Sequence, residues 1–249
     1  MLNSFPTYGW ASSLGRLAIA GAVTLGFALL ARALRAVDQS GMLAGGAACF
    51  LLFAGAGPSA FAVLAALFLL TWVATRFGYR RKQDLGVAER GDGRDAWQVL
   101  ANLSVASLAA LAFGVTGNRA WLFASAAALA EAATDTVASE IGQTRGQTAV
   151  LITTWKPVAA GTDGGITIAG TIAGIAAGVL IALVAAEGGM IPRAQLWIPA
   201  AAGFVGMLVD SVLGATLQRE GRMNNEAVNF FGTLAAAALT YAIAVLATG

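Results

Sequence analysis

Eight apolar runs, most of them about 20 residues long and separated by short polar segments, constrain this chain more than any other feature. Hydrocarbon offers no partner for a backbone N–H or C=O, so a membrane-spanning segment must be a helix or part of a closed barrel. Runs near 20 residues suit helices. The pattern predicts spans at about 14–34, 41–55, 58–76, 96–115, 119–138, 165–186, 195–216 and 226–247. Composition agrees: 58% of residues are hydrophobic and 11% charged, with a mean hydropathy of +0.74, whereas soluble domains carry about 25% charged residues. The expected fold is an all-α integral membrane protein, a polytopic helical bundle of about eight transmembrane helices in a single domain, 1–249. The second span is short and Gly-rich, which also suits a helix half-embedded or packed inside the bundle. The first reads as a retained helix rather than a signal peptide, because no small-residue cleavage site follows it.

Charge sets the orientation. With the N-terminus outside, the segments after spans 1, 3, 5 and 7 hold Arg32, Arg35, Arg76, Arg80, Arg81, Lys82, Arg90, Arg94, Arg145, Lys156, Arg219 and Arg222. Only Arg16, Arg119 and Arg193 fall on the other side. This is a positive-inside bias. It predicts a cell inner (plasma) membrane protein with both termini outside and its longest polar segments in the cytoplasm. The basic run from Arg76 to Lys82 reads first as a topology determinant and headgroup contact. Net charge is +2, which implies no nucleic-acid partner. There is one cysteine, Cys49, and no histidine. An intrachain disulfide, a Ser-His-Asp triad, a Cys-His pair and a His metal ligand are all excluded.

A weak internal likeness joins residues 101–111 to residues 228–238, and Ser40-Gly41 to Gly164-Gly165. It would divide the bundle into a 4+4 parallel repeat.

Within the fifth span, Glu131 and Asp135 lie one helical turn apart and Ser139 extends their face. A carboxylate at mid-membrane costs about 2.5–3.5 kcal/mol on insertion scales, so two of them ask for a reason. Oxygen ligands on one stripe suit a hard cation such as Mg²⁺, which commonly shares its shell with phosphate. An ion pair or wetting at the helix end would also account for them. Three further motifs face the same side. The segment Leu151–Thr167 contains Lys156 and the run Gly161-Thr162-Asp163-Gly164-Gly165 just before the sixth span. Glycines and a helix N-terminus can approach an anion, while Thr162 or Asp163 could simply cap the helix. Asp210, Gly214 and Gln218 fall at i, i+4 and i+8 of the seventh span, where Gly214 could serve helix packing alone. Asn225 and Asn229 open the eighth, Asn225 being a candidate N-cap. Asn102 in the fourth span, like Asn229, needs a partner.

The motifs Thr134-Asp135…Ser139-Glu140-Ile-Gly142, Leu151-Ile-Thr-Thr-Trp-Lys156-Pro, Gly161-Thr-Asp-Gly-Gly165, Asp210-Ser211-Val-Leu-Gly214 and Asn224-Asn225…Asn229, with Arg81-Lys82 and Gln98…Asn102, resemble the transmembrane-protein-19-like family (domain of unknown function 92). The resemblance covers about residues 35–247. Val137 stands where many relatives have Trp, and Asp163 where Asn is common; neither removes a proposed ligand. Plant and cyanobacterial members are phytyl-phosphate kinases of prenyl salvage, and the related phytol and dolichol kinases use CTP. The resemblance therefore implies a phosphotransferase that makes a prenyl diphosphate from an NTP, CTP before others, and a phytyl, geranylgeranyl or farnesyl monophosphate. It implies Mg²⁺ on Glu131, Asp135 and Asp210, with Glu140 a fourth acid. It implies nucleotide phosphates on Lys156, Gly161, Thr162, Asp163, Gly164, Gly165 and Ser139, and a phosphate- or metal-orienting role for Asn225 and Asn229. Asp135, Lys156 and Asp210 would be the catalytic set. The prenyl tail would lie between helices, entering from the inner leaflet, and a homodimer is compatible. The rival readings are an ion-coupled transporter and a CTP-dependent cytidylyltransferase acting on a lipid phosphate.

Overall fold

The computed structural model describes residues 13–89, 91–144 and 148–246. Arg90 and Arg145, both among the basic residues that set the charge bias, lie outside them. The long helices are α1 (Ser13–Ala33), α2 (Gln39–Ala56), α3 (Pro58–Arg76), α5 (Ala96–Thr116), α6 (Ala120–Thr144), α7 (Ile168–Glu187), α8 (Trp197–Leu213) and α9 (Asn225–Leu246). A short helix, α4 (Tyr79–Asp84), breaks the basic segment after α3. Among the described residues, seven of the eight long helices, α8 taken with its flanking turns as Arg193–Gln218, are long and apolar enough to cross a membrane. The protein is an integral, multi-pass, all-α membrane protein.

The helix that fails that test is α6, whose carboxylates and hydroxyls dilute its apolar residues. It is nevertheless the centre of the bundle. It packs against α3, α5, α7, α8 and α9, and 17 of its 25 residues are buried. The other helices shield it from lipid, so it need not be apolar itself. Alanines at 124, 126–128, 130, 132 and 133 let those neighbours come close. On α7, Gly170, Gly174 and Gly178 form the matching stripe. A Cβ on Gly174 would meet the Thr134 carbonyl oxygen at 2.5 Å, and one on Gly178 would strike the Thr134 hydroxyl.

Several boundaries differ from expectation, each for a tertiary reason. The second span is a full 18-residue helix packed on α1 and α5, and ends at Gly57 with φ 80°, followed by Pro58 at the start of α3. The fifth reaches Thr144 instead of 138, because its last turns are held by α3 and α4. Lys82 Nζ donates to the Glu140 carboxylate and to the carbonyls of Ala74 (3.1 Å) and Thr75 (2.6 Å), while Thr75 Oγ1 donates to Glu140 (2.7 Å). Lys82 is completely buried. It is a structural cation, not a headgroup contact. The polar loop expected at 139–164 is therefore six residues shorter at its start, and from residue 149 it forms a small antiparallel sheet. Strand β1 (Ala149–Leu151) lies between β2 (Pro157–Val158) and β3 (Gly165–Ile166), with Ala149 opposite Val158 and Val150 opposite both Pro157 and Ile166.

Two caps are displaced from their expected positions. Thr167, not Thr162 or Asp163, caps α7 by accepting from Gly170 N at 3.0 Å. Asn224, not Asn225, caps α9 by accepting from Ala227 N at 3.0 Å. The 4+4 division is echoed only between successive helices, α1–α2 with α6–α7 and α2–α3 with α7–α8; elsewhere α2 lies on α5 while α7 makes no comparable contact with α9, and α8 lies on α9 while α3 makes none with α5.

Candidate functional site

A polar cavity of about 340 Å³ opens at the end of the bundle that carries α4 and the small sheet. Asp135 reaches it from α6 and Asp210 from α8. Both side chains are half-buried, and their carboxyl groups lie near enough to interact directly. One oxygen of Asp210, Oδ2, is buried and makes no hydrogen bond among the described residues. Asn225 and Asn229 from α9 stand on the same wall, as do Ser139 and Gly161–Gly165. The displaced cap matters here: Asn224 serves the helix, which leaves the Asn225 side chain for the cavity.

Immediately beyond Asp210 the helix widens into a π turn, Gly214–Gln218. Such turns are concentrated at functional sites. Asp210, Ser211, Gly214 and Gln218 all line the cavity. Gly214 also makes room for the loop from the sheet: a Cβ there would lie 2.9 Å from Gly164 N, and one on Gly164 would strike Ala215. The loop itself is a tight turn in which Gly165 N donates to the Thr162 carbonyl at 2.8 Å, with Gly164 at φ 71°. Packing and turn geometry therefore account for Gly161, which abuts Val87, and for Gly164. The turn they form still closes one side of the cavity.

Glu131 is separated from this group in depth. It is 1% exposed and does not line the cavity. Its side chain lies in a slot between α6, α8 and α9 that glycines keep open. A Cβ on Gly206 would fall 2.5 Å from Glu131 Cγ, and one on Gly232 would fall 2.5 Å from Glu131 Oε1. That oxygen has no hydrogen-bond partner among the described residues. Glu140 lines the cavity but is committed to Lys82 and Thr75. Lys156 is exposed on the β1–β2 connection and is not on the cavity wall. Among the described residues no three acidic side chains converge tightly enough to hold a metal by themselves. What the structure offers a cation is the Asp135–Asp210 pair, with Glu131 behind it.

The side of the cavity formed by α5 and the loop before it carries residues to which the sequence assigned no place in the site. Glu89, Arg94 and Gln98 line it, with Asn102 deeper. Gln98 completes a capping box with Asp95, and its side chain also contacts the Glu89 carboxylate at 3.4 Å. Asn102 finds its partner in the Gln98 carbonyl, 2.9 Å away. The Arg94 Nε lies 3.7 Å from Glu89, and Arg94 is close enough to Asp135 to act on its charge. A cation directly before a capping box, followed by polar side chains at i, i+4 of an apolar helix, was the available signal.

The integral membrane protein family DUF92 matches residues 22–237. An uncharacterized membrane protein of Synechocystis is 33% identical over 199 residues, 78% of this chain and 77% of that protein. An uncharacterized membrane protein of Methanocaldococcus jannaschii is 32% identical, covering 83% of this chain and 85% of its own length. Protein VTE6, chloroplastic, of Arabidopsis thaliana is 32% identical over 76% of this chain and 61% of the plant protein. No solved structure matches the chain. The chain belongs to the DUF92 family of integral membrane proteins.

Proposed function

We propose that this protein is a prenyl-phosphate kinase, transferring the terminal phosphoryl group of a nucleoside triphosphate, CTP first among them, to a prenyl monophosphate. The observation that carries the reading is the pair of carboxylates from α6 and α8, Asp135 and Asp210, on one polar cavity with Arg94, Asn225 and Asn229. The family resemblance supplies the reaction class.

Phosphoryl transfer asks a protein mainly for positioning and for positive charge around the phosphates. A phosphate monoester has a second pKa of about 6, so at neutral pH the acceptor is already mostly dianionic and needs no general base. A chain without histidine is suited to that reaction. Two half-buried carboxyl groups side by side, one with a buried oxygen lacking a partner, fit a Mg²⁺ ion shared with substrate phosphates. Asp135 and Asp210 would hold it, and the ion would supply neutralising charge to the phosphate oxygens. Glu131 would act from behind the pair, fixing the α8–α9 spacing that sets Asp210 in place. Asn225 and Asn229 would orient phosphate oxygens, and Arg94 would meet a phosphate on the opposite wall. Lys156 reaches the site in this reading only if the β1–β2 connection closes over bound nucleotide. The charge bias of the sequence supports a cavity that faces the cytoplasm of a plasma membrane protein, with both termini outside.

The test is direct. Purified protein with CTP, Mg²⁺ and geranylgeranyl or phytyl monophosphate should yield the prenyl diphosphate and CDP. Release of pyrophosphate with a CDP-linked lipid would identify a cytidylyltransferase instead. Absence of any transfer across a panel of nucleotides and acceptors, in a preparation that binds nucleotide, would refute the proposal.

A further inference from the structure

A second cavity, of about 420 Å³, lies between α1, α2, α3 and α5. Its walls are largely apolar, with Phe27, Met42, Leu64, Leu67 and Leu103 among them. Glycines on α2 help to hollow it. A Cβ on Gly45 would meet nothing nearer than Val99 Cγ1 at 3.7 Å, and one on Gly46 nothing nearer than Thr24 Cγ2 at 3.7 Å. Arg35, Arg76 and Tyr79 stand at the basic end. The two cavities share a wall: Glu89, Arg94, Gln98, Asn102 and Thr136 line both.

The wall is built firmly at Arg94. Arg94 N donates to the Ala36 carbonyl and Asp38 N donates to the Arg94 carbonyl, both at 3.0 Å. Gly93 (φ 96°) and Gly41 allow that approach, since a Cβ on Gly93 would lie 2.5 Å from Val37 N and one on Gly41 would strike the Arg94 carbonyl oxygen. The backbone is thus pinned to the α1–α2 connection, and the guanidinium is presented at the junction, its side chain 22% exposed. A guanidinium has five N–H donors, and Nε lies 3.7 Å from Glu89.

The outer wall is held much less firmly. Only 11% of the apolar stretch of α1 is buried within the protein. It packs mainly on α2 and meets α3 through the edges of Phe27 against Phe61 and Phe68, at centroid distances of 5.4 and 5.2 Å. Its ends are tied by Arg16 to the Gly55 carbonyl (3.4 Å) and by Arg76 to the Leu34 carbonyl (2.6 Å).

We propose that the second cavity holds the hydrocarbon chain of a single-chain lipid monophosphate, with Arg94 receiving its phosphate at the junction and α1 forming the wall past which the chain enters from the bilayer. A soluble phosphate would leave the apolar cavity without an occupant, and a neutral lipid would leave the Arg94 junction without one. An amphiphile with one phosphate and one chain matches both halves at once. The identification of the chain as a kinase acceptor rests on the function proposed above; the binding site does not.

Photolabelling tests it on the unaltered protein in proteoliposomes. The probe is a C20 prenyl monophosphate carrying a diazirine near its terminal carbon. The expected labels fall on α1, α2 and α3 at cavity-facing positions such as Met42, Leu64 and Phe68. Unlabelled prenyl monophosphate should compete, while the prenyl alcohol and dioleoyl phosphatidate should not. Gly45→Leu, which directs a side chain into the cavity, should lower labelling at least 10-fold and shift the C20-to-C5 acceptor preference at least 10-fold toward C5. Arg94→Gln should abolish the advantage of phosphate over alcohol as competitor. Labels confined to the lipid face of α7 or α9, or undiminished labelling in folded Gly45→Leu, would overturn the proposal, and equal competition by phosphatidate would overturn the single-chain assignment. Labelling at the cavity without phosphoryl transfer would sink the kinase reading and leave this site standing. Transfer with labels elsewhere would do the reverse.

Discussion

Lys82→Met offers a sharp test of how α6 is held. The Lys82 side chain is fully buried and that of Glu140 is 13% exposed. Removing one partner of a buried ion pair costs about 3–5 kcal/mol, because the other charge stays behind. Glu140 keeps its hydrogen bond from Thr75 and some access to water, so the low end, about 3 kcal/mol, is expected. Methionine is nearly the length of lysine, so little of that loss comes from a void. Adding Glu140→Gln removes the stranded charge and keeps an acceptor for Thr75. What remains is the lost donor to the Ala74 and Thr75 carbonyls, about 1 kcal/mol for each net hydrogen bond and about 2 in all. Glu140→Gln alone strands the fully buried Lys82 ammonium and should also cost about 3 kcal/mol. The two single changes and the pair, at about 2, therefore imply a coupling of about 4 kcal/mol, roughly 1,000-fold in the unfolding equilibrium. Reversible unfolding of all four proteins in mixed micelles reads this cycle. Strict additivity, or a double variant less stable than Lys82→Met, would refute the reasoning. Turnover of the double variant separates structure from chemistry. Were Glu140 a metal ligand, the double variant would be folded and inactive.

Other substitutions follow from the same geometry. Asp135→Asn and Asp210→Asn should each remove Mg²⁺-dependent turnover from a protein that elutes and unfolds normally; near-normal rates would take that residue out of the site. Gly232→Ala places a methyl 2.5 Å from Glu131 Oε1, so it should cost about 1–3 kcal/mol of stability as overpacking does, with the loss partly relieved by Glu131→Ala. Gly178→Ala on α7 should cost a similar amount where its Cβ strikes the Thr134 hydroxyl, whereas Gly21→Ala, which meets no atom within 4 Å, should be neutral or stabilising in the same unfolding assay. At the N-terminus of α2, the Asp38 carboxyl accepts from Gly41 N and Ser40 Oγ, both at 2.8 Å, and these bonds hold its pKa below the ordinary 3.8. A depressed folded pKa contributes stability above the unfolded value and loses it as pH falls through the folded one. The stability gap between the native chain and Asp38→Asn should therefore be full above about pH 4 and close as the solution is acidified below it.

Helix identity and most helix positions are readable because hydrocarbon enforces one solution on any long apolar run. What sequence does not supply is the neighbour of each residue. The fifth span reads as ending at 138 because Ser139, Glu140, Gln143 and Thr144 look like loop; only Lys82, some 60 positions earlier, makes Glu140 a helix residue. The basic run around Lys82 is uniform in sequence, and one member of it is interior. Arg94 is one topology charge among twelve in the charge pattern, yet the docking of Gly93 on Ala36 and Val37 places it at the junction of two cavities. The sheet strands are too short for a two-residue period to register, so nothing in the sequence shows that Lys156 sits off the cavity wall.

The acidic stripe on α6 shows where such reading stops. Helical spacing correctly places Glu131, Asp135 and Ser139 on one face. It treats them as equivalent, and they are not. Glu131 is enclosed, Asp135 stands on the cavity wall, and Ser139 is exposed at the rim. Periodicity carries the angle around a helix, not the depth at which each position meets its neighbours. Depth here is decided by Gly206 and Gly232, which have no side chain and lie on two other helices. Their effect is to admit one long acid where the bundle would otherwise close. An acid placed there by chance would be selected against by its insertion cost. Glycines on both facing helices keep a slot open for it, so the least accessible acid of the stripe is the one on which α8 and α9 close.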